Sequence, residues 1–448
     1  MTTGPKGSLK KRVFSASAWS VAQLTTNYTF RLASNLVMTR LLVPEAFGIM
    51  ALISAILAAF TLFSDIGLAR SVVRDPDAEN PHYLRVAWTV QIVRSMYVMI
   101  GVLFSALGVW LLAPGLAAPG TIYADDRLPG LLVLVSLAPI LQGMSSTNRF
   151  LAQRHFKNAR LFTTAFFAQL SALAMQITLA LIWPTVWALA IGLLTRYMVS
   201  GILSHIVFQG PRMKFRWDRE IVSRLWKFGK FLMASSTLTF AAVYADRFIL
   251  ASLLGSTGFG LYAIAQIWSE AGKTLVNRLA SQVGFPAIGE VIRTRPTEVA
   301  RLFKRFQRVI DLYCSLAFLA VLFLGGHLID TLYSDAYAEA GSYLRLMSLV
   351  LLTSRFETIN TLILNLGNSR FMMIVAGIRA IALVILLPLG YSFLGVSGAI
   401  LAVGLSPLIA FPYTYVLIRP ILGRAYSNWQ VVWVLGIFAT AVAVYLTQ

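Results

Sequence analysis

The sequence predicts an all-α polytopic membrane protein, and three observations carry that prediction. Of the 448 residues, 58% are hydrophobic and 12% charged, where soluble domains average about 25% charged. The mean hydropathy is +0.73. The remaining charge is lopsided, with 38 Lys and Arg against 18 Asp and Glu and a formal net charge of +20. Apolar windows of about 20 residues, enough to cross a hydrocarbon core, recur from one end of the chain to the other. This composition excludes a soluble enzyme and a soluble nucleic-acid binder, so no nucleic-acid partner is expected.

Thirteen segments fit spanning helices: 14–39, 47–69, 86–112, 128–148, 161–182, 186–208, 231–254, 259–281, 308–325, 343–366, 371–391, 395–418 and 430–446. The first follows a basic tail, MTTGPKGSLKKR, and carries an interior Arg31. A cleaved secretory signal has an uninterrupted apolar stretch instead, so this helix is expected to be retained with its N-terminus in the cytoplasm. Orientation then follows from the Lys and Arg of the connections. On the N-terminal tail and the even-numbered connections lie 28 basic residues, against Arg40, Arg127 and Arg345 on the opposite side.

Two inner connections are long. In 211–230, PRMKFRWDREIVSRLWKFGK, Ile221, Leu225 and Phe228 recur at i, i+4 and i+7, with Arg219, Arg224, Lys227 and Lys230 around them. This pattern fits a helix lying among anionic lipid headgroups; a solvated basic linker fits it too. The second, 282–307, repeats the idea.

The chain also echoes itself. RLLVPEAFGIMAL (40–52) and SLLGSTGFGLYAI (252–264) align without gaps at an offset of 212, matching at Leu41, Leu42, Phe47, Gly48 and Ala51. Each copy is a short outer turn that opens the second helix of a pair, with a glycine suited to close helix approach. A duplication divides the chain into 1–208 (helices 1–6), a basic linker 209–230, 231–425 (helices 7–12) and an extra C-terminal helix within 426–448. The architecture expected is about 12–13 transmembrane helices in two pseudo-repeated six-helix lobes around a central cavity, a common transporter plan.

The echo residues sit in stretches that resemble a known family. SNLVMTRLLVPEAFGIMALISAI (34–56) and FSDIGLARSVVRD (63–75) resemble the start of bacterial polysaccharide exporters of the oligosaccharide flippase family. That family belongs to the multidrug/oligosaccharidyl-lipid/polysaccharide superfamily. YADRFILASLLGSTGFGLYAIAQ (244–266), VNRLASQVGFPAIGEV (276–291), LNLGNSRF (364–371) and FLGVSGAILA (393–402) extend the resemblance over residues 15–420. The resemblance implies two lobes worked by alternating access in the bacterial inner membrane. It also implies a lipid-linked oligosaccharide as cargo and other polysaccharide-assembly proteins as companions. Members commonly have twelve or fourteen helices, so the segment 430–446 departs from the pattern.

Seven basic residues fall inside spans: Arg31, Arg94, Arg196, Arg247, Lys273, Arg355 and Arg379. Facing lipid, each would cost roughly 2.5–3.5 kcal/mol, so they must pair, snorkel or line a wet cavity. The acids within spans are Asp65 and Asp311, near the inner face, and Asp246, Glu270 and Glu357. Arg94 is close enough to the inner face to snorkel. The deep interior is therefore net positive, which suits a cargo with a diphosphate, because guanidinium groups bind phosphate oxygens bidentately.

Gln23, Asn27, Arg31 and Asn35 recur every four residues along one helix face, as cavity lining or as interhelical glue. Arg196, Arg247, Arg355 and Arg379 join Arg31, Asn27 and Asn35 as candidate cargo-binding residues. Asp246, Glu270 and Glu357 are candidates for a coupling proton or sodium ion; Glu270 and Lys273, at i and i+3, equally fit a structural ion pair. No cofactor or metal site is expected: Cys314 stands alone, and His82, His155, His205 and His327 are scattered. Two other functions fit the composition. A multidrug or ion antiporter is disfavoured by the positive interior. A membrane enzyme consuming lipid-linked sugars is disfavoured by short outer connections without an acid–base motif and by the lack of a phosphate-binding loop.

Overall fold

The computed structural model describes residues 9–367 and 369–446. Lys6 of the basic tail and Asn368 of the LNLGNSRF motif lie outside the described residues. Helices account for nearly all of the described chain, with a single bridge pair, Thr121–Gly255, in place of a sheet. Among the described residues eight helices are long and apolar enough to cross a membrane, or nine with a bent pair at 127–154. The longest apolar stretch, Arg370–Leu422, is two spans that fold back at Gly395, whose φ of 60° and ψ of −145° lie outside the helical region. Gly390 and Gly398 let the two arms touch. A Cβ on Gly398 would lie 2.1 Å from the Gly390 carbonyl oxygen.

The helices form two contact units. The first comprises residues 1–42, 53–117 and 124–237, and the second 43–52, 118–123 and 238–448. The division differs from one drawn at 209–230. The 43–52 and 118–123 segments join the second unit, and the C-terminal helix is part of it.

In the first unit, α1 (Leu9–Leu41) lies along α8 (Asn158–Ile182), which pairs with α9 (Val186–Val207). This unit also holds the second half of α2 (Pro44–Phe63), with α3 (Leu68–Arg74), α4 (Pro81–Leu116), α5 (Arg127–Val135), α6 (Leu137–Gly143) and α7 (Asn148–Arg154). The span expected to run to 69 stops at Phe63. The Ser64 hydroxyl turns back onto the Phe60 carbonyl at 2.7 Å, and Asp65 accepts the Gly67 amide at 2.9 Å, so local side-chain bonds replace the helical ones. The span expected at 128–148 is broken into α5 and α6, followed by α7.

The linker also departs from expectation. From Arg219 it is the first half of α10 (Arg219–Leu253), continuous with the seventh span. Ile221 and Leu225 are buried against Ile66, Leu68, Val72, Tyr83 and Leu84; the Phe228 side chain lies outside the described residues. The apolar stripe is used on protein rather than lipid. Charges fasten it there: Arg224 Nη1 donates to Asp77 Oδ2 at 2.8 Å, and His82 Nε2 lies 3.0 Å from Asp218 Oδ2. The bond to His82 holds the Asp218 carboxyl below the usual carboxylate range.

The second unit holds the rest of α10, α11 (Ser256–Arg278), α12 (Phe285–Thr294), α13 (Val299–Leu332), α14 (Ala340–Thr353), α15 (Glu357–Asn365), α16 (Ser369–Leu405), α17 (Phe411–Leu422) and α18 (Arg424–Leu446). One end of it contains residues 43–52 of the first echo copy packed on the second copy. A Cβ on Gly48 would lie 3.0 Å from the Gly260 nitrogen, and one on Gly260 only 2.0 Å from the Pro44 carbonyl oxygen. The Ser256 amide donates to the Gly120 carbonyl at 2.8 Å, and Thr257 donates its hydroxyl to Glu45.

Candidate functional site

The candidate residues fall into three settings: open helix faces, buried networks and one polar cavity. Of the thirteen expected spans, those in α1, α10 and α11 are among the helices too polar to pass as apolar spans. These are the helices that carry Asn27, Arg31 and Asn35, then Asp246 and Arg247, then Glu270 and Lys273.

On α1, Asn27 and Arg31 are exposed and Asn35 is buried. The helix is held to α8 by the Trp19–Phe162 and Phe30–Phe166 ring contacts, each at 5.3 Å, and by Ser34 donating to Gln176 at 3.0 Å. These contacts leave Arg31 uncovered. Gln176 also fills the space over Gly192 of α9, one turn before Arg196. Arg196 is exposed, and the neighbouring Thr195 hydroxyl is spent on the Ile191 carbonyl at 2.9 Å. Among the described residues neither Arg31 nor Arg196 makes a hydrogen bond or an ion pair. Arg31 stands ten residues from the C-terminal end of α1 and Arg196 ten from the N-terminal end of α9, about 15 Å along each axis.

In the second unit Asp246 is buried. Its Oδ2 accepts the Tyr262 hydroxyl at 2.5 Å and the Gln266 amide at 3.2 Å, while Oδ1 has no partner. Arg247 meets the other end of the same amide, donating Nε to Gln266 Oε1 at 3.1 Å and lying 4.6 Å over the Tyr244 ring. Tyr262, Gln266, Ser269 and Lys273 are spaced four, three and four residues apart on one face of α11. That ladder was readable beside the one on α1. Glu270 and Lys273 stand 3.7 Å apart.

Arg355, expected among the cargo-binding groups, is instead enclosed by protein, with 0% of its surface exposed. Its Nε and Nη2 each donate to Asp311 at 2.8 Å and Nη1 donates to Gln430 at 2.7 Å. The guanidinium lies 4.4 Å over the Trp433 ring. Asp311, read from its position as an interfacial acid, is the partner that keeps this cation inside. Gln430 and Trp433 come from α18, so the C-terminal helix is tied to α13 and the α14–α15 break through one arginine.

Arg379, Lys273 and Glu357 line a common cavity of about 50 Å³. Glu357 Oε2 accepts the Asn360 amide at 3.2 Å, whereas among the described residues Arg379 has no hydrogen bond or ion pair and its Nε is buried. Among the described residues no group of three or more His, Cys, Asp or Glu stands ready for a metal.

Comparison with known proteins adds the following. The family described as polysaccharide biosynthesis protein matches residues 37–342. The lipopolysaccharide biosynthesis protein WzxC of Escherichia coli (strain K12) is 21% identical over 430 residues, 94% of this chain and 84% of that protein. The succinoglycan biosynthesis transport protein ExoT of Rhizobium meliloti (strain 1021) is 22% identical over 62% of this chain and 54% of its own length. Among solved structures, the lipid II flippase MurJ in its inward closed conformation superposes with a TM-score of 0.70 at 14% identity, covering 96% of this chain and 93% of that one. A multidrug resistance MATE family transporter of the MOP superfamily, inward-facing, gives 0.68 at 12% identity, covering 88% and 94%. These similarities show the fold.

Proposed function

Because this chain belongs to the family of polysaccharide biosynthesis proteins, we propose that it moves a polyprenyl-pyrophosphate-linked oligosaccharide across the bacterial inner membrane. Its N-terminus lies in the cytoplasm, and it serves cell-surface polysaccharide assembly by alternating access. The observation that carries this reading is the pair of guanidinium groups, Arg31 and Arg196, without partners among the described residues, on exposed helix faces about 15 Å from a helix end. A cation left unpaired there is costly unless a cargo or water completes it. A diphosphate offers the oxygens a guanidinium fork fits, and a hydrophobic cation would be repelled. Arg247, held to Gln266 by one of its donors, has others to offer the same anionic group. No covalent step is required of the chain; it binds, encloses and releases. The names of the relatives, a lipopolysaccharide biosynthesis protein and a succinoglycan transport protein, agree with such a cargo.

The test is flipping in vesicles. With a fluorescent polyprenyl-pyrophosphate oligosaccharide in both leaflets, the reconstituted protein should bring inner-leaflet label to an impermeant quencher. Arg31→Ala or Arg196→Ala should slow this by about ten- to a hundredfold, the weight of one or two charge-assisted bonds, at equal protein content. Lysine at either position should rescue in part, since it restores the charge without the fork. Parental rates in both alanine variants would remove these arginines from the cargo path.

A further inference from the structure

The second unit holds a half-buried charge that the cargo reading leaves unexplained. Arg379 projects from α16 into the cavity of about 50 Å³ between α11, α14–α15, α16 and α17. Its Nε is buried without a partner. The nearest helix hydroxyls give it nothing in return. Thr353, Ser354 and Thr414 each donate their hydrogen to a carbonyl of their own helix, at 3.2, 2.6 and 3.1 Å. Lys273 keeps Glu270 as its neighbour at 3.7 Å. Glu357 faces the same cavity, yet its carboxylate is bonded to Asn360 and makes no ion pair with Arg379. The cavity thus has two cations and one carboxylate on its walls, and the stronger donor fork is unused.

We propose that this cavity is a binding site for a small carboxylate-sized monoanion, held by Arg379 and Lys273 and opposed by Glu357. Size and charge both point there. A water molecule needs about 10–15 Å³ of such space, so the cavity admits a group of a few heavy atoms and not a sugar ring. A planar carboxylate matches the guanidinium fork, while Glu357, sharing the cavity, sets an electrostatic limit on how tightly any anion binds. The inference deepens the proposed function and rests on it in one respect only. The carboxylate could be a free ion, or it could belong to an acidic sugar of the cargo whose remainder stays outside the cavity.

Calorimetry on the purified full-length protein separates these sources, with acetate as the free ion, glucuronate as the sugar acid and glucose as the neutral control. Acetate or glucuronate should bind saturably and glucose should not. Binding of acetate assigns the site to a free ion; binding of glucuronate alone assigns it to the cargo. Arg379→Gln should weaken binding by about ten- to a hundredfold. Glu357→Gln, which removes the opposing charge at constant shape, should strengthen it by roughly tenfold. This gain protects the test against a merely misfolded Arg379 variant. Absence of saturable binding to the parent protein, or equal affinity in all three proteins, would overturn the site. Because the measurement involves no transport, vesicles that still flip cargo would then leave the proposed function standing and remove the anion site alone.

Discussion

Gly260→Val is expected to cut export by about thirty- to a hundredfold and to leave the contact between the two echo copies accessible to solvent. A Cβ at this position would stand 2.0 Å from the Pro44 carbonyl oxygen and 2.4 Å from its carbon. Both are backbone atoms that no rotamer change can move aside. Overpacking costs about 1–3 kcal/mol where neighbours can yield, and the upper end applies where they are main chain. At 1.4 kcal/mol per factor of ten, about 2–3 kcal/mol shifts an equilibrium between a packed and a parted contact by about thirty- to a hundredfold. Under alternating access that equilibrium is part of every cycle, so export should fall by a comparable factor. Gly48→Ala is the milder companion, because its nearest contacts would be 3.0 Å to the Gly260 nitrogen and 3.1 Å to an Ile122 methyl. Thr121→Cys, buried in the parent beside this contact, reports the change. An impermeant maleimide should label it slowly in the parent background and rapidly with Gly260→Val. Slow labelling together with normal export in the valine variant would show that the glycine contact does not gate the cycle.

Arg355→Ala should be the most destabilising single change in the second unit, at about 3–5 kcal/mol, the usual result of removing one partner from a buried ion pair. It strands Asp311 with only the Gln307 amide, at 2.7 Å, and strips Gln430 of its donor. The double variant Asp311→Leu with Arg355→Met should recover most of the loss, because an apolar replacement of the pair leaves no charge uncompensated. Thermal unfolding in detergent measures both. A structural arginine predicts that export returns with stability in the double variant. Recovered stability without export would return Arg355 to the cargo path.

Why Arg355 was legible as a buried charge and not as a paired one is a matter of range. Its partners lie 44 and 75 residues away, on helices whose relative rotation no periodicity reports. Asp311 was placed by its distance from a helix end, which gives depth without azimuth. The polar ladder of α1 was legible because Asn27, Arg31 and Asn35 are neighbours on one helix. The apolar stripe of Ile221 and Leu225 was equally visible. A stripe states that something apolar covers it, and only the fold identifies that cover as α3 and the start of α4. Likewise the broken span after Phe63 depends on Ser64 and Asp65 turning their side chains onto the backbone, a competition that hydropathy averages away. The helical class rested on sums over many residues, and such sums tolerate local error.

The contact between the two echo copies has a bearing on ancestry. Glu45 bonds Thr257 and Gly48 touches Gly260, and each partner is the other's counterpart in the repeat, 212 positions along. A residue meeting its own copy is what a two-fold axis produces, as in the isologous interface of a homodimer. In a dimer of identical halves one glycine would have served both sides of that axis, and a glutamate at position 45 would have faced another glutamate. In a single chain the two positions need not be identical. One could keep the carboxylate while the other became the hydroxyl that donates to it.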